Sequence, residues 1–433
     1  MTRMKESGID WIGQIPEEWR VRPIKHIVET PVTDGPHETP VLYETGIPFL
    51  SAEAVKDGVL DFNYKRGYIS LKDHDRFKKK ISPKKDDIFI VKSGATTGNV
   101  GIVNTDEIFD IWSPLALIRC NKTLAIQKYI YFYLLSTLFK SQVEFNWSFG
   151  TQQNIGMGVI ERIKVILPPL SEQQQIVEVL DKKTAQLDKV KSLLEEQIQK
   201  LKDYRSSLIY ETVTKGLDKT VPLKDSGIDW IGQVPEGWEV GKVKYFSQIS
   251  AGATPDRNNS LFWNGNINWM SSGEVNQGIV KHTFETITDL ALKRTSTKLL
   301  PKGTVMLALN GQGKTKGTAA VLAIESASNQ SLASFIVDNK ILNNMYLYYF
   351  FVANYYNIRG LKGEDRDGLN LQLVSNIVIP LFEIEEQQKI VDFLDKKTVQ
   401  IDQLIQIKNK QIDNINKQRQ TLIYDYVTGK RRV

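Results

Sequence analysis

Two long stretches of the chain place apolar residues at a helical period. In both stretches one column of positions recurs every seven residues; it is apolar throughout in the first stretch and at all positions but one in the second. The column consists of Leu180, Leu187, Leu194, Leu201 and Leu208 in the first stretch and of Leu394, Ile401, Lys408, Ile415 and Leu422 in the second. This period is typical of a coiled-coil seam. The pattern therefore predicts two long helices that bury their apolar faces against each other.

The first predicted helix is unusually long. Between Glu172 and Val213 there is no proline or glycine, so a continuous helix would extend over about 63 Å at 1.5 Å per residue. Flanking positions are expected to widen the buried stripe: Ile176, Val190 and Ile198 in the first helix and Ile390, Leu404 and Ile412 in the second.

The helices belong to a larger internal repeat. The segment KESGIDWIGQIPEEWRVRPIK at 5–25 returns at 224–244 with 14 of 21 positions identical, and the helices return 214 residues later. We therefore predict five segments: 1–165, a first globular domain with an N-terminal cap segment; 166–216, a central long helix; 217–223, a hinge; 224–378, a second globular domain with the repeated cap segment; and 379–433, a C-terminal long helix.

The middle regions of the two copies keep a pattern of elements without keeping the residues. DDIFIVKSGATTG at 86–98 corresponds to KGTVMLALNGQGKTKG at 302–317, each a strand-like run that enters a glycine-broken loop. The seven-residue hinge reaches about 25 Å at most, which is too short to return along such a helix. The predicted fold is α/β (α+β): two mixed globular domains separated by two long antiparallel coiled-coil helices, related by a pseudo-twofold internal repeat.

Composition narrows the chemistry. Hydrophobic residues make up 41% and charged residues 24% of 433 residues, with a net charge of +6, which is compatible with a nucleic-acid partner without requiring one. Cys120 is the only cysteine and the four histidines lie far apart, so we predict no metal site. The apolar runs 129–139 and 346–356 are too short to span a bilayer and are expected to be buried helices. We expect no membrane association and a cytoplasmic location.

Several motifs together point to one family. The duplicated SGIDWIG cap, the loop KSGATTG, the run LPPLSEQQQIV and the helix pattern LDKKTAQLD closely resemble the specificity subunit of type I restriction–modification enzymes. The second copy departs slightly, with Leu381 in the place of Pro169 and GLN at 368–370 in the place of GTQQN at 150–154.

The resemblance implies a function and a set of partners. Each of two target recognition domains would read one half of a bipartite, asymmetric sequence in double-stranded DNA. The helices would set the unread spacer and dock two modification subunits, which methylate adenine, and restriction (motor–nuclease) subunits would complete the complex. Such a subunit has no catalytic residues and no cofactor of its own.

Candidate DNA-binding residues lie in two basic runs (75–85 and 291–302), two glycine loops (92–99 and 310–317) and two further loops (150–154 and 359–370). Basic side chains can bind phosphates, and amide and basic groups can read base edges. The less specific interpretation is a solvated charged surface with ordinary turns. The candidates are Lys78, Lys79, Lys80, Lys84, Lys92, Thr96, Thr97, Asn99, Gln152, Gln153, Lys293, Arg294, Lys298, Asn310, Gln312, Lys314, Lys316, Arg359, Lys362 and Arg366.

Two alternative functions remain open. Residues 308–315 (ALNGQGKT) nearly spell a phosphate-binding P-loop, but Ala308 stands where glycine is required and 316–324 has the pattern of a strand rather than a helix. Binding of ATP that is abolished by Lys314→Ala would favour a nucleotide-binding enzyme. The other alternative is a protein scaffold that uses the coiled coil for docking and has no role with DNA.

Overall fold

The computed structural model describes residues 3–9, 12–146, 148–149, 153–311, 313–362 and 368–433. Contacts divide the chain into two compact units. Unit 1 comprises Met1–Leu194 together with Asn409–Val433, and unit 2 comprises Glu195–Lys408. Each long helix therefore contributes one part to each unit.

Unit 1 holds fifteen short strands and the first five α-helices in its described residues. The strands are β1 (Met4–Glu6), β2 (Gln14–Pro16), β3 (Arg20–Pro23), β4 (Thr33–Asp34), β5 (Ile47–Leu50), β6 (Val55–Lys56), β7 (Val59–Leu60), β8 (Gly67–Ile69), β9 (Ile88–Val91), β10 (Val100–Ile102), β11 (Asp110–Ile111), β12 (Leu115–Ile118), β13 (Ser148–Phe149), β14 (Gln153–Asn154) and β15 (Lys164–Leu167). The helices are α1 (Leu71–Phe77), α2 (Gln127–Leu135), α3 (Thr137–Phe145), α4 (Met157–Arg162) and α5 (Leu170–Lys215), the last of which continues into unit 2.

Unit 2 repeats this arrangement with fewer strands. Its strands are β16 (Leu223–Asp225), β17 (Gln233–Pro235), β18 (Glu239–Lys242), β19 (Ser247–Ala251), β20 (Trp263–Met270), β21 (Ile279–Val280), β22 (Glu285–Ile287), β23 (Val305–Ala308), β24 (Ala319–Leu322), β25 (Ala327–Ser328), β26 (Leu332–Val337) and β27 (Val378–Leu381). Its helices are α6 (Asp289–Arg294), α7 (Asn344–Ala353), α8 (Tyr355–Arg359), α9 (Leu371–Ser375) and α10 (Ile384–Val427), the last of which ends in unit 1.

The two units share one sheet topology. The main sheet has the order β4-β12-β9-β10-β7-β6 in unit 1 and β19-β26-β23-β24-β21 in unit 2. A second, three-stranded sheet has the order β11-β5-β8 in unit 1 and β22-β20-β25 in unit 2. The predicted internal repeat of mixed helix–strand globules is confirmed, and β6 is an addition found at the edge of the unit 1 sheet.

The apolar runs that resemble membrane segments lie in the cores. Tyr129 and Tyr133 of α2 are completely buried, and their hydroxyl groups donate to the carbonyls of Ile166 at 2.9 Å and Lys164 at 3.0 Å. In unit 2, Tyr346 of α7 is equally buried. None of the helices among the described residues combines the length and hydropathy that crossing a bilayer requires.

The long helices pair in antiparallel directions within each unit. In unit 2, Lys408 Nζ donates to Gln197 Oε1 at 2.6 Å, and Arg205 lies 3.5 Å from Asp402. Residue numbers on α10 therefore decrease as those on α5 increase, which means that the helices run in opposite directions.

Unit 1 shows the same direction. Arg419 lies 3.3 Å from Asp188, and nearer the start of α5 Glu172 is bound by Arg432, beyond the end of α10, at 2.6 Å. The predicted antiparallel pairing is therefore confirmed inside each unit.

The buried stripe on these helices follows the predicted columns in part. In the seven-residue column, four residues are buried and five other leucines are partly buried. The buried ones are Leu180, Leu394, Ile401 and Ile415, and the partly buried ones are Leu187, Leu194, Leu201, Leu208 and Leu422. Among the flanking positions, Ile176, Ile198 and Ile390 are buried as predicted. Val190 and Leu404 instead expose 48% and 47% of their surfaces, so the prediction is wrong for these two. A seam between only two helices covers its central columns and leaves some flanking positions open.

The cap segment of unit 1 is fastened to α5 by Trp19. This side chain is completely buried, and its Nε1 donates to Glu172 Oε2 at 2.9 Å. We expect Trp19→Ala to lower the free energy of unfolding by about 3–5 kcal/mol, because it leaves a large cavity and removes this bond. Urea denaturation of the full chain measures the change. Leu71→Ala, at a position 70% exposed, is the control and should stay within about 0.5 kcal/mol of wild type. An equal, small effect of both changes would contradict this role.

Candidate nucleic-acid interface

In unit 1, several loops meet at the carboxyl end of strand β9. Lys92 follows this strand, and its backbone N–H donates to the carbonyl of Pro114 at 2.7 Å, while its own carbonyl accepts from the N–H of Ile155 at 2.8 Å. The N–H of Ser113 donates to the carbonyl of Pro36 at 3.2 Å. We call the region formed by residues 34–38, 92–99, 112–114 and 153–155 the unit 1 loop surface.

The candidates within loop 92–99 differ in exposure. Thr96 and Asn99 are exposed, whereas Thr97 is partly buried and its hydroxyl donates to the carbonyl of Gly94 at 2.7 Å. Gly94 has a φ of 105°, a backbone conformation that side chains with a Cβ rarely adopt, so the loop depends on glycine there. Gln152 lies outside the described residues, and for Gln153 the structure describes only the backbone, in β14.

A buried carboxylate organises two lysines and a histidine beside this loop. Asp34 of β4 is buried and accepts a hydrogen bond from Lys92 Nζ and another from Lys80 Nζ at 2.6 Å, and His37 Nε2 lies 3.2 Å from it. Burial raises the pKa of Asp34, but the hydrogen bonds from Lys80 and Lys92 outweigh this effect and hold its pKa below the ordinary value. Lys92 is only 12% exposed and Lys80 is 43% exposed. Lys80 therefore reaches the surface, while Lys92 serves mainly as the largely buried partner of Asp34.

The remaining lysines of the first basic run are exposed but partly neutralised. Lys78 and Lys79 follow α1 on the surface, and Lys78 is paired with Asp75 one turn earlier. The nearby Arg76 is bound by Glu38 at 2.9 Å. Exposed pairs of this kind contribute little to stability and can exchange partners.

Lys84 lies away from the unit 1 loop surface. It precedes β9, whereas Lys92 follows it, and the four residues of that strand account for about 13 Å of separation. The backbone N–H of Lys84 donates to Asp87 Oδ2 at 2.7 Å, and Asp87 Oδ1 accepts from Arg119 Nε at 2.7 Å. The structure thus does not bring Lys84 together with the candidates in loop 92–99.

Unit 2 has an equivalent junction of loops at the end of β23. The N–H of Leu309 donates to the carbonyl of Ser331 at 2.8 Å, and the carbonyl of Leu309 accepts from Leu369 at 2.9 Å. Asn310 and Lys314 are exposed on the loop that follows. We call residues 252–257, 309–318, 328–331 and 368–370 the unit 2 loop surface.

Two basic candidates of unit 2 have positions that sequence alone does not reveal. Lys316 is only 2% exposed. Arg359 Nη1 donates to the carbonyl of Gly313 at 2.8 Å, and the hydroxyl of Tyr355 donates to that of Lys314 at 2.9 Å. Arg359 thus fastens the glycine loop to α8, and Lys316 packs beneath it.

The other candidates of unit 2 are placed more simply. Lys293 and Arg294 on α6, Lys298 after it and Lys362 are exposed. Gln312 and Arg366 lie outside the described residues.

The P-loop interpretation of residues 308–315 is not supported by the local fold. A P-loop places its phosphate at the amino end of a helix. Here the loop turns through 313–317 and continues into strand β24, as the pattern of residues 316–324 predicts.

Sequence reasoning missed a guanidinium group on the unit 2 loop surface. Arg257 lies 4.0 Å above the ring of Trp263, and its Nη2 donates to Glu285 Oε2 at 3.0 Å. Its position among Pro, Asp and Asn residues was the only signal available. Asp34 and His37 were missed as well, since their partners are distant in sequence.

Metal chemistry has no candidate in the part of the chain that the structure describes. No three His, Cys, Asp or Glu side chains there are grouped in a way that could hold a metal ion.

Comparison with known proteins gives consistent matches over both units. A family model described as the type I restriction modification DNA specificity domain matches residues 16–202 and again residues 235–417. The MjaVIII specificity subunit, from a type I restriction enzyme of Methanocaldococcus jannaschii, is 25% identical over 97% of this chain and 94% of its own. The EcoR124I/EcoR124II specificity subunit of Escherichia coli is 27% identical over 64% of each chain.

Solved structures show the same fold. One chain, from a structure described as the basis of complex assembly and conformational transition of the type I R-M system, has a TM-score of 0.72 at 16% identity and covers 96% of this chain and 99% of its own. The HsdS subunit from Thermoanaerobacter tengcongensis has a TM-score of 0.50 at 16% identity, covering 96% and 98%.

Proposed function

The chain belongs to the type I restriction–modification DNA specificity family, and we propose that it is a non-catalytic subunit whose two units each read one half of a bipartite, asymmetric DNA sequence. The observation that carries this proposal is the pairing of one sheet topology with two different loop surfaces. A shared frame keeps the mode of docking, while different loop residues select different bases.

We assign DNA contact to the loop surfaces and to the basic residues beside them. Exposed basic groups are suited to phosphates, and exposed amides and hydroxyls are suited to base edges in the major groove. The exposed or partly exposed candidates assigned to this contact are Lys78, Lys79, Lys80, Thr96, Thr97, Asn99, Lys293, Arg294, Lys298, Asn310, Lys314 and Lys362. Lys92, Lys316 and Arg359 support these loops from behind, and Lys84 is a candidate for a separate phosphate contact.

A salt titration tests this assignment in unit 2. Lys314→Gln is expected to weaken binding of duplex DNA and to reduce the slope of log K against log salt by about one, because one phosphate contact is lost. Fluorescence anisotropy of the full chain with labelled duplex measures both quantities. The exposed Lys219, between the two globules in sequence, is the matched control. If Lys314→Gln and Lys219→Gln give equal slopes of log K against log salt, Lys314 does not contact DNA.

The long helices are proposed to dock two modification subunits and to set the length of the unread spacer. In unit 1 they expose the apolar side chains of Val190 and Leu193, and in unit 2 those of Leu404 and Ile407, each at 47–53%. Exposed apolar groups on a rigid helix are suited to a protein partner. Restriction subunits would join the same assembly. The methylated and cleaved DNA is cytoplasmic, so the proposed location is the cytoplasm.

A scaffold without a DNA role is the main competing function. Co-expression with a modification subunit of this family, followed by native mass spectrometry and an electrophoretic shift with duplex DNA, separates the two. We expect a complex of one chain with two modification subunits that binds DNA more tightly than the modification subunit does alone. An assembly that forms normally but binds DNA no better would favour the scaffold.

A further inference from the structure

The two units differ in one buried pair at the junction of their loops. Lys92 in unit 1 and Leu309 in unit 2 occupy equivalent positions, because each directly follows the central strand, β9 or β23. The backbone N–H of each donates to the loop before the neighbouring strand of the sheet, β12 or β26, and the carbonyl of each accepts a hydrogen bond from the loop before α4 or α9. Leu309 is 4% exposed.

The partners of these two residues are equivalent as well. In unit 1, Asp34 pairs with Ala116, which in turn pairs with Ile90, two residues before Lys92. In unit 2, Ala251 pairs with Ala333, which pairs with Leu307, two residues before Leu309. The ion pair of Asp34 with Lys92 therefore stands where unit 2 has alanine and leucine.

The replacement indicates that the ion pair is not needed to build the junction. Burying two charges costs desolvation energy that their attraction often fails to recover, and apolar residues commonly serve as well or better. Unit 2 closes the same junction with apolar side chains. A role in binding then accounts for a charged group at this place in unit 1.

The geometry around Asp34 indicates what it holds. Lys80 Nζ donates to Asp34 Oδ1 at 2.6 Å and to the carbonyl of Gly35 at 2.9 Å, which uses two of the three donors of an ammonium group. His37 lies beside it with 72% of its side chain exposed. The two ammonium groups of Lys80 and Lys92 outnumber the single carboxylate of Asp34, so the cluster presents positive charge at the edge of the unit 1 loop surface.

We propose that Asp34 is a positioning residue for DNA binding, which fixes the ammonium group of Lys80 beside His37 so that the two bind one backbone phosphate. The third donor of Lys80 and the ring of His37 face the phosphate, and Lys92 is the buried counter-ion of Asp34. This inference rests on the proposed function, since it needs DNA at the unit 1 loop surface.

Asp34→Asn gives the sharpest test because simple electrostatics and positioning predict opposite signs. The change removes one negative charge and so raises the net charge by one, and a general electrostatic attraction to DNA would then tighten binding. Positioning instead predicts affinity lower by about threefold to tenfold and a salt slope smaller by about one, since the phosphate contact is lost. The probe is a labelled 40-base-pair duplex that carries the sequence methylated when the chain and its modification subunits are expressed together.

Two further variants control for charge and for folding. Asp87→Asn also removes a buried carboxylate, the partner of Arg119, and raises the net charge by one. Because Asp87 lies at the other end of β9, this change should not weaken binding. Asp34→Ala with Lys92→Leu copies the residues of unit 2 and leaves the net charge unchanged. We expect this double variant to keep the thermal midpoint and to lose as much DNA affinity as Asp34→Asn.

The outcomes distinguish this inference from the proposed function. If wild type binds the duplex and both Asp34 variants bind equally well or more tightly, Asp34 has no positioning role and the inference alone fails. If wild type, with its modification subunits, does not bind the duplex above background, the proposed function fails and the inference with it. Weaker binding by both Asp34 variants, with Asp87→Asn unaffected, supports the inference.

Discussion

Exchange of residues 26–160 for the matching segment of another family member is expected to change one half of the methylated DNA sequence and to leave the other half intact. The exchanged segment contains the main sheet, the second sheet and the loop surface of unit 1. The strands β3 and β15 lie just outside its two ends. These two strands pair with each other, and the N–H of Ile24 donates to the carbonyl of Ile163 at 2.9 Å, so the two ends of the segment leave the frame side by side. The frame can therefore accept a new segment without a change in the helices.

The matched exchange is that of residues 245–374 in unit 2. There β18 and β27 pair in the same way, and the N–H of Val243 donates to the carbonyl of Ile377 at 2.9 Å. We expect this exchange to change the other half of the sequence only. Mapping of methylated adenines in cells that carry each hybrid measures the outcome. A hybrid that alters both halves, or neither, would contradict independent reading by the two units.

Removal of one seven-residue repeat from both long helices is expected to shorten the unread spacer by about three base pairs. Seven residues of helix rise about 10.5 Å, and B-DNA rises 3.4 Å per base pair. Because seven residues make nearly two full turns, the buried column stays on the same face. Residues 187–193 and 414–420 face each other across the Asp188–Arg419 pair and are suitable segments.

Deletion from only one helix is the control for the second prediction. It puts the two buried columns out of register, so we expect loss of folded protein rather than a new spacer. Methylation mapping of the double deletion gives the spacer directly. An unchanged spacer in an active double deletion would exclude the helices as the ruler.

The helices and the repeat could be predicted because their signals are local and periodic. A seven-residue column without proline or glycine leaves few alternatives to a long helix, and identical cap segments establish the duplication. The burial of Val190 and Leu404 was predicted wrongly because apolar character alone does not say how many neighbours a helix has. The structure gives them one helical neighbour at the seam, which leaves them about half exposed.

The fine structure of the candidate interface depends on contacts that no local pattern encodes. Lys92 and Lys80 look alike in sequence, yet the carboxylate of Asp34 draws one into the interior and holds the other at the surface. That carboxylate lies 58 residues before Lys92 in the sequence. The two come together because β12 pairs with β4 on one side and with β9, which precedes Lys92, on the other. Arg359 was likewise predicted from its charge, whereas the nearby carbonyl of Gly313 decides its role.

Mapping of methylated adenines across a genome, in cells with the modification subunits and with or without this chain, tests the central claim most directly. The account predicts methylation that depends on the chain and falls in one asymmetric sequence made of two specified halves with an unspecified spacer between them. Methylation that is unaffected by the chain, or that falls in a single uninterrupted sequence, would contradict it.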